Sequence, residues 1–168
     1  MTMRMRRGSR GQALMEFAIV LPVFLAMLLA IVDVGRVVWA NNSLANAARE
    51  AARFAIVHGG SAGTACPVGP PGPDVIFPPV SASCPYPSPS TQAIVDVARQ
   101  FAFAGGTNIV VEVCYGTGCS GNAHTQATNA RGTRVTVTVR SDVQLVAGVF
   151  LGLADYTVTG QSTMLVNH

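Results

Sequence analysis

Apolar and polar positions change their rhythm twice along this chain. From Ala13 to Val32 the run is apolar almost throughout, and Glu16 is its only ionisable residue. About twenty such residues, at a helical rise of about 1.5 Å each, cross a hydrocarbon core of roughly 30 Å, so the pattern predicts a membrane-spanning helix. The period then becomes that of an amphipathic helix. Leu44, Ala47, Ala48, Ala51 and Ala55 recur on one face, opposite Asn46, Arg49, Glu50 and Arg53. The first helix is therefore expected to continue past the span. Its alanine stripe is expected to pack on the chain's own sheet, with a neighbouring subunit as the alternative. Glu50 and Arg53, one turn apart, form at most a weak surface pair. His58, Gly59 and Gly60 end the helix.

The second half of the chain alternates with period two. Ile109, Val111, Val113 and Tyr115 form one apolar series. Val135, Val137, Val139, Val143 and Leu145 form another, against Thr136, Thr138, Asp142 and Gln144, and Tyr156, Val158, Met164 and Val166 a third. A short helix is expected to begin at Ser90 or Thr91 and run through Ala104, with Ile94, Val97, Ala98 and Phe101 on one face and Gly105 and Gly106 closing it. Nine of the ten prolines fall between Pro67 and Pro89, so residues 61–90 are expected to form an irregular surface loop. The apolar connector Val146 to Leu153 can pack in the core, face a membrane or meet a partner, and core packing is the expectation. Three antiparallel strands with one apolar face need a cover, which the second half of the long helix can supply. The fold class is thus α+β, although the pattern does not give the strand order.

Composition and charge sharpen this picture. The 168 residues leave room for one domain and an anchor. Hydrophobic residues make up 49% and charged residues 11%, a balance too apolar for disorder. The net charge of +3 comes from Arg4, Arg6, Arg7 and Arg10, because from Gln12 onward seven arginines face eight acids. No basic face remains to bind nucleic acid. The early arginines act instead as a topology signal, holding the N-terminus in the cytoplasm and placing the residues after about 40 outside the inner membrane. This divides the chain into a basic leader (1–11), a transmembrane helix (12–33) and an extracytoplasmic domain (34–168). A buried core helix fits so long an apolar run poorly. A secretory signal cut after Ala40 would leave Asp33 and Arg36 between its apolar region and the cleavage site. Pro22, inside the span, is expected to kink or weaken a turn.

Glu16 is the exception that carries chemistry. A carboxylate in a membrane helix costs roughly 2.5–3.5 kcal/mol near the centre and less at the interface. From Arg10 the chain reads Arg-Gly-Gln-Ala-Leu-Met-Glu-Phe-Ala-Ile-Val-Leu-Pro, which resembles a type IV prepilin signal. The stretch Gly11–Pro22, followed by Asp33-Val-Gly-Arg36 and Ala47-Ala-Arg-Glu-Ala-Ala-Arg53, is similar to TadE-like proteins of tight-adherence pilus systems. Gln12 suits that family better than major pilins, where a bulky apolar residue is usual. The resemblance implies a minor pseudopilin with a pilin-like domain. It also implies cleavage by a prepilin peptidase between Gly11 and Gln12, with Glu16 as the fifth mature residue and its carboxylate one helical turn from the new amine. Glu16 and Pro22 would then take part in helix packing. The implied partners are the peptidase, other pilins and pseudopilins, a membrane assembly platform and lipid, in adherence, biofilm formation or secretion. The rival reading is an unprocessed, membrane-anchored binding or adhesion domain with the proline-rich loop as its recognition surface.

Four cysteines on the extracytoplasmic side are expected to form bridges. Of three possible pairings, Cys66–Cys84 across the proline-rich loop and Cys114–Cys119 are favoured, the first contributing about 3 kcal/mol by chain entropy. Cys114, Cys119 and His124 are a sharper metal alternative, but no second pair of ligands with zinc-like spacing accompanies them. Neither His58, His124 nor His168 suggests a catalytic arrangement. Gly116 to Gly121 lacks the lysine of a phosphate loop. The expectation is a protein without enzymatic activity, metal or cofactor.

Overall fold

A computed structural model describes residues 9–59, 68–70, 91–103, 106–118, 129–152 and 155–167. The longest element is α1 (Ser9–Val57), 49 residues, which at helical rise is about 74 Å long. It is followed by α2 (Gln92–Phe101), β1 (Thr107–Tyr115), β2 (Arg134–Val143), α3 (Val146–Leu151) and β3 (Tyr156–Leu165). The strands form one antiparallel sheet in the order β1-β2-β3, giving the α+β architecture expected from the residue pattern. The helix runs through Pro22 without a break, so the missing N–H there does not end it.

The two halves of α1 live in different surroundings. Between Gly11 and Val32 only Leu29 is even partly buried, although the most apolar window of the helix has a mean hydropathy of 2.7. Beyond Val37 one face enters the core. Leu44, Ala47, Ala48, Ala51 and Ala55 are all fully buried, joined by Ala40 and Ala52. They meet Val111, Val113, Val135, Val137 and Val139 from the sheet and Ile94 and Ala98 from α2 within one hydrophobic cluster. Small residues on this stripe let the backbones approach closely. At Gly160 of β3 a Cβ would overlap the backbone of Leu44, which explains a glycine inside a strand.

Strand register follows the alternation of the sequence. Val111 lies opposite Val139, Val113 opposite Val137, and Tyr115 opposite Val135. On the other side of β2, Val139 faces Gly160 and Ser141 faces Val158. The register shifts between Thr107 and Val110, where Asn108 takes a positive φ of 55°, and the Ser141 hydroxyl donates to the Thr107 carbonyl at 2.6 Å across this irregularity. The sheet runs along α1. Tyr156, at the start of β3, lies beside Val34, Val37 and Val38, while the Asn167 N–H just past β3 reaches the Ile56 carbonyl at 3.4 Å. The domain thus has a foot near Asp33 and a far end near Val57.

At the far end, Val68, Gly69 and Pro70 are buried, contrary to the surface loop expected for 61–90. They close the core over Tyr115. The Val68 N–H donates to the His58 carbonyl at 2.8 Å, and Asn129 Nδ2 donates to the Val68 carbonyl at 2.8 Å. Gly69, with φ of 116°, lies so close to the Tyr115 hydroxyl that a Cβ would not fit. The rest of the proline-rich segment lies outside the described residues. Two other expectations shift at the foot, where Phe101 is 38% and Tyr156 55% exposed rather than buried on the inner faces of α2 and β3.

Candidate processing and assembly site

The residues singled out by the prepilin resemblance share the first turns of α1. Gly11, Gln12 and Glu16 are all exposed, and Gln12 Nε2 donates to Glu16 Oε1 at 3.2 Å. That contact puts the main chain of residue 12 one turn from the carboxylate, as the i to i+4 spacing requires. The Gly11–Gln12 bond is helical, since α1 begins at Ser9. Its neighbourhood is nevertheless easy to unwind, because the first four N–H groups of any helix have no carbonyl partner within it and glycine disfavours helix. A Cβ at Gly11 would meet nothing within 4 Å, so the packing of the described residues does not demand glycine there. Pro22 belongs to the same uncovered half of α1 and meets no core element of the chain.

At the other end of this half stands a residue whose role the sequence concealed. Asp33 is only 5% exposed. Its carboxylate accepts hydrogen bonds from the backbone N–H groups of Val146 at 2.8 Å and Ala147 at 2.7 Å. These are first-turn donors of α3, whose preceding residue, Leu145, has no side chain able to cap them. Asp33 therefore caps a helix more than a hundred residues away in sequence, with charge and helix dipole favourably matched. A side-chain cap of this kind contributes on the order of 1–2 kcal/mol. Arg36 lies 3.8 Å from the same carboxylate. The clues in sequence were an acid at the boundary of the apolar run and a helix start with no cap of its own.

Cys114 points to the outer side of the sheet between inward-facing Val113 and Tyr115, yet it is buried and disulfide-bonded. Cys66, Cys84 and Cys119 lie outside the described residues, as does His124. His58 is accounted for by local contacts: Nδ1 donates to the Phe54 carbonyl at 2.9 Å and the ring sits 4.1 Å from that of Phe54. Burial raises the Tyr115 phenol above its ordinary pKa, an effect of core position rather than of a reactive neighbour. The outer face of the sheet is polar, and Glu112 pairs with Arg140 across it at 3.5 Å.

Along α1 lie an exposed apolar half, the boundary acid Asp33 and a buried alanine face. Residues 11–53 match the family model for TadE-like proteins. The match lies wholly within α1 and includes Gly11, Glu16, Pro22, Asp33, Arg36 and the alanine stripe as far as Arg53. It is consistent with a TadE-like protein of Tad pili, and it points to involvement in such pilus systems and to association with pilus components in general. The matched segment lies within the one helix, among the described residues, long and apolar enough to cross a membrane. No curated protein and no solved structure matches the chain.

Proposed function

We propose that this protein is a minor pseudopilin that takes part in assembling a tight-adherence pilus through packing of the first half of α1 with other pilus subunits. The observation that carries the reading is the separation within α1. Its first half exposes an apolar surface, covered by none of the described residues, and opens on Gly11 and Glu16, whereas its second half is committed to the domain's core. In the membrane, lipid covers the first half; in a filament, neighbouring helices do. A prepilin peptidase acting at Gly11–Gln12 would create an amine one turn from Glu16, and pairing the two charges within or between subunits lessens the cost of burying each. The basic leader stays cytoplasmic in this scheme, and the sheet, α2 and the disulfide at Cys114 are extracytoplasmic. The domain acts by contact and carries out no reaction.

Mass spectrometry of the mature N-terminus tests the proposal. A chain beginning at Gln12 is expected, and replacing Gly11 with a bulky residue, as in Gly11→Phe, should leave the leader attached. A mature chain starting at Met1 would favour an unprocessed anchored domain, and one starting at Asn41 a secreted protein. Normal processing of Gly11→Phe would count decisively against the peptidase assignment.

A further inference from the structure

We propose that the foot of the folded domain is a membrane-interface collar: α3 with Tyr156 beside it, and Trp39 with Phe103 in the hollow beside Arg36, are seated in the lipid headgroup layer where α1 leaves the bilayer. This rests on the reading of α1 as a membrane span.

The first observation is where apolar side chains are exposed. Among the described residues past Val32, the four most exposed large apolar side chains are Phe103 (79%), Val149 (78%), Val34 (64%) and Trp39 (62%). All four are at the foot. Phe103 and Trp39 line one hollow beside Arg36, and α3 borders another along Ala30, Val34 and Val37. In contrast, the outer sheet face presents Glu112, Thr136, Thr138, Arg140 and Thr163.

The second observation concerns height along α1. The apolar run ends at Val32, and α3 is fastened to the side chain of the next residue, Asp33, whose carboxylate accepts from the N–H groups of Val146 and Ala147. The hollow between α3 and α1 extends down to Ala30, about 5 Å below Asp33 along the helix axis. If the span lies in the hydrocarbon core, α3 lies at its edge. The collar's exposed surface is continuous with that of the span, and lipid is therefore the occupant.

The third observation is chemical. From Val146 to Leu151 there is no polar side chain. Ala147 and Gly148 turn toward α1 while Val149 turns away, so the helix has apolar groups on both sides. A short helix can enter an apolar layer only if its free N–H groups are satisfied, and the Asp33 carboxylate supplies that for two of them. Arg36, with its side chain 44% exposed, can extend its guanidinium toward lipid phosphates while its stem stays apolar. Tryptophan and tyrosine are the aromatic residues favoured at such interfaces.

Trp39 is the only tryptophan in the chain, so a Trp39→Phe background allows single tryptophans to be placed at will. Full-length protein would be reconstituted in phosphatidylcholine vesicles brominated either near the headgroup or near the chain ends. Val149→Trp should lose most of its emission to the headgroup-proximal bromines and little to the deep ones. Leu25→Trp should show the opposite preference, and Val57→Trp should respond to neither. Quenching at Leu25 without quenching at Val149 would overturn the collar and leave the membrane span standing. If the tryptophan at 149 were also shielded from aqueous iodide, another protein subunit would be the occupant, and the lipid assignment would fail. Absence of quenching at Leu25 would remove the span itself and the collar with it.

Discussion

Single residues fix how closely the layers of this domain approach one another. The clearest is Gly160, where β3 lies against the backbone of Leu44 with no room for a methyl group. The obstructing atoms are main chain, so relief requires moving a strand away from a helix rather than turning a side chain. Gly160→Ala should therefore destabilise the domain by about 1–3 kcal/mol, as overpacking of a close-fitting core does, and lower its thermal midpoint. Gly35 makes the complementary case. It lies in the interior of α1, exposed, and a Cβ there meets nothing within 4 Å. Gly35→Ala should be neutral or stabilising by up to about 1 kcal/mol through helix propensity. Both variants read by the same thermal melt would separate steric close approach from backbone entropy, and equal midpoints would refute the packing described at Leu44.

At the scale of elements, α3 depends on a carboxylate that belongs to α1. Its first-turn donors at Val146 and Ala147 find Asp33, and its C-terminus ends at Gly152 in a left-handed conformation with φ of 67°, the usual way for a helix to stop. Asp33→Ala should cost about 1–2 kcal/mol of local stability, which is roughly a tenfold faster amide exchange at Val146 and Ala147. Asp33→Asn keeps one acceptor oxygen and should fall between the two. Protection of both amides unchanged in Asp33→Ala would show that the cap does not hold α3. The elements themselves were largely readable from period: α1 through Val57, the three strands, and the inward series Val111, Val113, Tyr115 and Val135, Val137, Val139. The lone helix α2 stops at Phe101, with Ala102 as its cap, short of the glycine pair expected to end it. What the pattern did not reveal depends on tertiary context. Asp33 reads as a boundary charge until α3 is brought beside it. Val146 to Leu151 reads as core because it is apolar, and only its place at the foot leaves Val149 exposed. Val68 to Pro70 read as surface because prolines surround them, although they are needed to close the core over Tyr115. For the candidate processing site the spacing of Gly11 and Glu16 was legible, since that pair lies within one helix.

For the molecule as a whole, the division of α1 implies a division of labour that can be tested by cutting the chain. No residue from Gly11 to Val32 belongs to the buried core. The cluster that joins helix, sheet and α2 draws on α1 only from Val37 onward. A chain beginning at Asp33 should therefore fold as a cooperative unit, with the sheet and α2 protected from exchange as in the full-length protein. It retains Asp33, so α3 should remain docked. A second chain, beginning at Asn41, keeps Leu44 and the alanine stripe but loses Asp33, Val37 and Ala40. Its far end, held by the contacts of His58 and Asn129 to Val68, should stay protected, while α3 and the start of β3 at Tyr156 lose protection first. If the chain from Asp33 failed to unfold cooperatively, the uncovered half of α1 would have to be stabilising the domain through contacts other than those of the core. Retention of α3 protection in the chain from Asn41 would mean that the foot is organised by the sheet alone. The two truncations together distinguish a helix that merely carries the domain from one whose boundary residue also builds it.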